Sequence, residues 1–398
     1  MYAKAYIPFR GYYSSPFSRW QGSLQNENSI ELGAATAKRW LAAKNFDPKM
    51  IDYVVFGKTV GQPHSFYSSP WAAAMLGAER VAAAHISQAC STSTTCVNLA
   101  AMSVETGNFG LAFCLMTDRT SNGPHTVWPN PTGPGGQVIS ENWVMDNFNA
   151  DPWVGLPMIK TAENAAASVE GVTKELCDEV AYRRYEQYQD ALANDREFQK
   201  RYMFPVEYQI SKKKTGTLEA DEGIMPTTKE GLAALKPVLP GGVHSFGSQT
   251  HPADGNCAII VTSREKAQEL SEDKNVEIQI ISYGYSREQK GFMAAAPVPA
   301  AEMALKNAGL TVKDIKAIKT HNPFIANDVY MSKKMGIDPM SFNNYGSPII
   351  FGHPQGPTAG RCIAELIEEM VMLGGGYGLF VGCAAGDTGA ALVIKVKA

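Results

Sequence analysis

The sequence predicts an α/β protein built from two similar layered halves, with a loop-rich region inserted between them. Two observations carry this reading: a faint internal repeat, and short apolar runs alternating with helical periodicity in each half. A third is the length of 398 residues, which exceeds one ordinary domain and suits a duplicated one.

The repeat is seen when the segment from Phe46 to Gly57 is set against that from Leu310 to His321. Each gives a short turn, an isoleucine (Ile51 or Ile315) and a strand-like apolar run, at an offset of 264 residues. Carried forward, the offset places Cys90 on Pro354, next to His353, and Thr94 on Thr358. Both positions open a helix. The helix from Thr358 carries Cys362, Ile363, Leu366, Ile367, Met370 and Val371 on one stripe, with Glu365, Glu368 and Glu369 off it, the pattern of an amphipathic helix. Its counterpart runs through Val97, Leu99, Ala100, Met102 and Val104 to a stop at Gly107. The match resumes with Gly110-Leu111-Ala112-Phe113 against Gly378-Leu379-Phe380-Val381, now at an offset of 268. An N-terminal half of 1–118, completed by about 251–270, and a C-terminal half of 271–398 follow from these segments. Residues 119–250 lie between them. They open on turns at Thr120–Pro124 and Pro129–Gly136 and turn helical from Thr161 to Tyr188. An inserted loop domain of this kind is placed to cover a pocket.

Composition excludes several classes. Hydrophobic residues make up 44% and charged residues 19%, which argues against disorder and coiled coil. A net charge of -3 gives no general attraction to nucleic acid, so an anionic ligand must be met by local positive charge. No run is long and apolar enough for a membrane span, and neither end carries a signal peptide or address. A cytoplasmic location is the expectation. Seven cysteines without a CxxC pair argue against disulfides and structural zinc. No metal site is expected.

Three motifs carry chemistry. Cys90 stands in Ser87-Gln88-Ala89-Cys90-Ser91-Thr92, where a strand runs into a helix. At a helix N-terminus the dipole and free N–H groups favour thiolate, so a lowered pKa is expected. His353 stands in Gly352-His353-Pro354-Gln355-Gly356, a rigid turn that also precedes a helix. Because the two residues hold nearly equivalent places in the halves, a pseudo-twofold pairing would join them as nucleophile and base. Cys383 enters Gly382-Cys383-Ala384-Ala385-Gly386, where small residues let backbone N–H groups approach a ligand, as an oxyanion hole requires.

Taken together these motifs resemble the thiolase superfamily over nearly the whole chain. Other landmarks agree: Thr161-Ala162-Glu163-Asn164 resembles the TAEN helix, Gly247–Gly255 stands where the family has GNASGINDG, and Gly374–Gly378 resembles its glycine turn. The resemblance implies the thiolase fold, a duplicated five-layer α-β-α-β-α arrangement, and C-acyl transfer between coenzyme A thioesters, most naturally thiolysis of a 3-oxoacyl-CoA. It implies that Cys90 is acylated, that His353 activates it, and that Cys383 moves the α-carbon proton. One oxyanion hole would use His353 and a water held by His321, the other the N–H groups of Cys90 and Ala385. Coenzyme A would be a co-substrate, with no permanently bound cofactor. A homodimer or tetramer is implied.

Three departures bear on the substrate. His321-Asn322-Pro323-Phe324 stands where most thiolases have NEAF and is nearer the HDCF of sterol-carrier-linked members. Ala385 replaces a glycine, and Thr250 replaces the serine that commonly contacts the pantetheine arm. His-type members often associate with a small zinc-ribbon/OB-fold protein, so such a partner is implied as an option. Arg183, Arg184 and the run Lys212-Lys213-Lys214 are candidates for the coenzyme A phosphates, although a charge run is more often a solvated face. Trp128, Trp143, Phe148 and Trp153 crowd the insert. With Trp128-Pro129-Asn130-Pro131 and the His321 motif, they resemble thiolases of anaerobic aromatic breakdown. That implies a bulky, aromatic, carboxylated substrate such as 2-benzoylsuccinyl-CoA, giving benzoyl-CoA and succinyl-CoA, with Trp128 stacking and Arg119 meeting the acid. The alternatives are a ketoacyl-synthase-like enzyme, where Cys90, His321 and His353 would suffice, and a non-catalytic acyl-CoA-binding subunit.

Overall fold

A computed structural model describes residues 1–398. Two short turns, Pro48–Met50 and Val312–Asp314, lie at the offset of the repeat, and each leads into a buried strand. In the first half, Tyr53–Gly57 pairs in parallel with Ala82–Ile86 and Leu111–Arg119. Leu111–Arg119 then pairs antiparallel with Ala253–Thr262, whose ten residues are all buried. In the second half, Ile315–His321 pairs in parallel with Gly376–Ala384, followed antiparallel by Thr388–Lys397 and Glu277–Arg287. The two sheets are therefore built alike. Tyr6–Ile7 bonds to both Ala253–Thr262 and Glu277–Arg287 and joins the sheets edge to edge.

Helices Thr92–Thr106 and Gln355–Met372 pack on each other between the sheets. Ser29–Ala43 and Ser68–Met75 cover the outer face of the first sheet, and Pro297–Ala308 that of the second. The result is the five-layer α-β-α-β-α order. No helix is long and apolar enough to cross a membrane.

The Gln355–Met372 helix corrects one expectation. Its glutamates do not face solvent: residues 355–370 are buried on every side. Glu365 accepts from Lys319 at 2.8 Å, from Arg361 at 3.0 Å and from the Tyr202 hydroxyl at 2.6 Å. Glu368 accepts from Tyr12 at 2.8 Å, and Glu369 from Asn344 at 2.7 Å. Arg361 makes a two-pronged pair with Asp221 at 2.7 and 2.8 Å and lies 3.7 Å over the Phe351 ring. Burial raises the pKa of Glu368 and Glu369. Apart from Arg361, which stands four residues before Glu365 on the same helix, the partners come from distant segments, so spacing along the helix could not show them.

Breaking one member of such a buried set leaves charge without a partner. Arg361→Ala is expected to lower unfolding free energy by about 3–5 kcal/mol, read by urea denaturation.

Candidate active site

Three chain reversals bring the site together. After strand Ala82–Ile86 the chain turns sharply at Ala89, whose φ of 43° is uncommon for a residue with a Cβ. Thr92 pins the turn, its hydroxyl donating to Ala89 O at 2.7 Å and accepting from Gln88 N–H at 2.9 Å. Cys90 lies on this turn, just ahead of the Thr92–Thr106 helix. Gly352 makes the second reversal at φ +88°, where a Cβ would sit 2.7 Å from His251 Cε1 and 2.8 Å from Ala253 Cβ. Only glycine satisfies both demands. His353 N–H then donates to His251 O at 2.9 Å, tying this turn to the segment before strand Ala253–Thr262. The third reversal follows His321. Thr250 N–H donates to Pro323 O at 2.8 Å and Ile325 N–H to Ser248 O at 3.0 Å, so the 247–255 and 321–324 motifs share one framework.

The structure brings Cys90 and His353 together: Cys90 Sγ lies 3.0 Å from His353 Nε2. The opposite ring nitrogen, Nδ1, lies 2.7 Å from Thr358 Oγ1. Thr358 has one hydroxyl proton, and it donates that to Pro354 O at 2.6 Å. It must therefore accept from His353 Nδ1–H. This fixes the tautomer and leaves Nε2 with its lone pair facing the thiol. Thr358→Val is expected to lower turnover about 10- to 100-fold through loss of this orientation. Thr358→Ser should restore it, and retained turnover in the valine variant would remove the tautomer argument.

The expected low pKa of Cys90 is corrected. Burial is the largest influence and pushes the thiol up to about 12, while the N–H groups of Ala385 and Cys90 itself pull the other way. Burial likewise holds His353 well below its usual value, aided by the nearness of His321 and His251. His321 falls to about 3 for the same reason, burial. The resting pair is thus a neutral thiol against a neutral imidazole, and the proton must move as a substrate engages.

Cys383 is fully buried among Ala162, Ala165, Met293, Ala294, Ala295 and Phe324. Burial raises its pKa, the nearby Cys90 adds to this, and a hydrogen bond with Asn327 opposes it. Asn327 was not singled out from sequence. Its position two residues after Ile325, on the first turn of helix Ile325–Met335, is the signal that could have found it.

His321 lies beside His353 with ring centroids 4.2 Å apart and the rings tilted by 35°, and neither of its ring nitrogens has a protein partner. Asp328 holds its loop from behind, accepting from Thr320 Oγ1 at 2.7 Å, Asn322 Nδ2 at 2.7 Å and the Arg184 guanidinium at 3.0 Å. Arg184 is therefore a support of the His321 loop, fully buried and beyond the reach of a phosphate. Glu163, in the TAEN-like segment, acts similarly through His244, which accepts from Ala326 N–H at 3.2 Å.

An apolar cavity of about 220 Å³ leads to Cys90 and His353. Phe148, Met158, Thr250, Met293, Phe324 and Ala385 are among its walls, and no Arg or Lys is. The Thr250 hydroxyl is turned away, donating to Pro348 O at 2.6 Å. A second cavity shares Phe148, Met158, Gln355 and Ala385 with the first and adds Trp143. Two expected substrate contacts fall elsewhere. Arg119 is half-buried and donates to Gln25 O at 3.1 Å, on neither cavity wall. Trp128 sits on the hairpin of His125–Pro129 and Val138–Asn142, its indole donating to Glu141 at 2.8 Å. Trp153 lies under Arg287 and Lys290. Arg183 is half-exposed beside Glu186, and Lys212 and Lys213 form an exposed hairpin tip.

Comparison with known proteins agrees with this geometry. Residues 11–265 match the model of the thiolase N-terminal domain, and residues 274–396 that of the thiolase C-terminal domain. The chain is 27% identical to human mitochondrial 3-ketoacyl-CoA thiolase over 392 residues, covering 96% of each. It is 28% identical to an acetyl-CoA acetyltransferase of Syntrophomonas wolfei, again over 96% of each. Among solved structures, human mitochondrial 3-ketoacyl-CoA thiolase superposes with a TM-score of 0.89 at 26% identity, over 98% of both chains. The same human protein in complex with CoA gives a TM-score of 0.88 at 26% identity, also over 98% of both.

Proposed function

The chain belongs to the thiolase family, and from that premise we propose that it splits a 3-oxoacyl-CoA with coenzyme A through an acyl group carried on Cys90. The observation that carries this reading is the 3.0 Å contact of Cys90 Sγ with a base nitrogen freed by Thr358, at the end of an apolar cavity. Cys90 sulfur attacks the 3-oxo carbon as its proton passes to His353 Nε2. The N–H groups of Cys90 and Ala385, both facing the sulfur, would hold the resulting oxyanion. The bond between C2 and C3 then breaks, and the electron pair left at C2 takes a proton from Cys383. The protonated His353, with a water on His321, would hold the enolate oxygen formed on the way. In the second half, the Cys383 thiolate takes the proton of incoming coenzyme A, whose sulfur attacks the acyl carbonyl. Cys90 leaves and recovers its proton from His353.

The acyl group is read as bulky and aromatic, with 2-benzoylsuccinyl-CoA as the specific candidate and benzoyl-CoA and succinyl-CoA as products. Phe148, Phe324, Met158 and Met293 support a ring. The absence of Arg and Lys from these walls gives the carboxylate no such support. Phe148 and Met158 both come from the inserted region 119–250, which we take as the unit that sets acyl preference. A homodimer or tetramer, and a small zinc-ribbon/OB-fold subunit, belong to the same reading, as do Arg183 and Lys212–Lys214 as phosphate contacts. The assay compares thiolysis of benzoylsuccinyl-CoA, acetoacetyl-CoA and straight-chain 3-oxoacyl-CoAs, with and without any small partner encoded beside it. The expected order puts the aromatic substrate first. Efficient cleavage of acetoacetyl-CoA without activity on the aromatic one would remove the substrate assignment and leave the thiolase chemistry standing.

One observation favours a second reading. The adjacent His321–His353 pair beside Cys90 is the residue set of a decarboxylating condensing enzyme. Release of carbon dioxide from a malonyl thioester would support it.

A further inference from the structure

We propose that Cys90, His321 and His353 together form a binding site for a soft divalent cation, zinc above all, and that occupancy reversibly blocks the nucleophile. The block, though not the binding, rests on the reading of Cys90 as the acylated residue. One ligand atom from each residue lies within 4.8 Å of the other two, and all three residues are buried. One thiolate and two imidazoles are a donor set suited to zinc, and at odds with magnesium or calcium, which take oxygen ligands.

His321 is the second observation. It is 1% exposed, and neither ring nitrogen has a protein partner. A buried polar group without a partner is costly and asks for a ligand, which the water of the proposed reaction supplies during turnover and a cation would supply in its place. The other imidazole is already prepared. Thr358 accepts the hydrogen bond of His353 Nδ1–H, leaving Nε2 as the coordinating atom, which is how metal-binding histidines are normally oriented. The apolar cavity ending on Cys90 and His353 supplies an approach.

Binding is a simple exchange. The S–H bond of Cys90 breaks, a sulfur–zinc bond forms, and one proton leaves to solvent. No electron is transferred. The sequence offered no metal-ligand spacing because the three residues lie far apart in the chain.

The experiment titrates zinc from a chelator buffer into metal-free protein, with magnesium as control. It is repeated on Cys90→Ser and His321→Asn, and alkylation of Cys90 in the wild type is mapped by peptide mass spectrometry. One zinc per chain, loss of that zinc in Cys90→Ser, at least tenfold weakening in His321→Asn and protection of Cys90 from alkylation are expected. Zinc bound equally by all three proteins, or no protection of Cys90 in the wild type, overturns the proposal. Acylation of metal-free protein by an acyl-CoA is scored separately. Its failure counts against the thiolase reading, while the titration still decides the metal site.

Discussion

Cys90→Ser is expected to abolish acyl transfer, with a fall of roughly 10⁴- to 10⁶-fold in turnover, as for loss of the nucleophile in other covalent catalysts. The hydroxyl is nearly isosteric with the thiol, so the fold should survive. Chemistry, not shape, is lost. An already buried thiol is pushed up to about 12, and a hydroxyl in the same place starts from a far weaker acid and a poorer nucleophile. His353 at 3.0 Å cannot make up that difference in a site it enters as a neutral imidazole. Steady-state thiolysis and circular dichroism measured side by side separate the two outcomes. Turnover retained within tenfold of the wild type would remove Cys90 from the nucleophile's role.

The second large effect falls on Cys383. Cys383→Ala is expected to stop carbon–carbon cleavage, with a loss of about 10²- to 10⁴-fold, the range for a positioned acid or base. Acylation of Cys90 from a simple acyl-CoA should persist, because the attack itself needs only His353 and coenzyme A can depart as a thiolate without the proton Cys383 would otherwise supply. Cys383 is fully buried in a small apolar group and touches Asn327, so its thiol is held as a proton donor until C2 needs a proton. The readout is a split: single-turnover acylation on one side, thiolysis of a 3-oxoacyl-CoA on the other. If both fell together, the division of labour between the two thiols would be wrong.

Much of this arrangement was legible in the sequence because it is repeated there. The turn and strand that precede each catalytic loop recur at one offset, and a pseudo-twofold relation then sets Cys90 against His353. What spacing could not show was what surrounds each residue. Glu365, Glu368 and Glu369 look like a solvated face because a helix pattern carries no record of Lys319, Tyr12 or Asn344 arriving from elsewhere. Arg184 looks like a phosphate ligand for the same reason, while Asp328 holds it under the His321 loop. The helix start argued for a reactive thiolate, and locally that holds, since the N–H of Cys90 does favour it, joined by that of Ala385 from the C-terminal loop. Burial outweighs them, and burial is a property of the whole fold. The tryptophans divide similarly: Trp143 reaches a cavity wall, whereas Trp128 stands on a hairpin with Glu141.

The most direct measurement of the central claim is the mass of the Cys90 peptide after brief exposure to an acyl-CoA without acceptor. The account predicts one acyl group on Cys90, absent in Cys90→Ser, still present in Cys383→Ala, and discharged by added coenzyme A. Acyl mass on Cys383 instead, or none on any thiol while thiolysis proceeds, would contradict it.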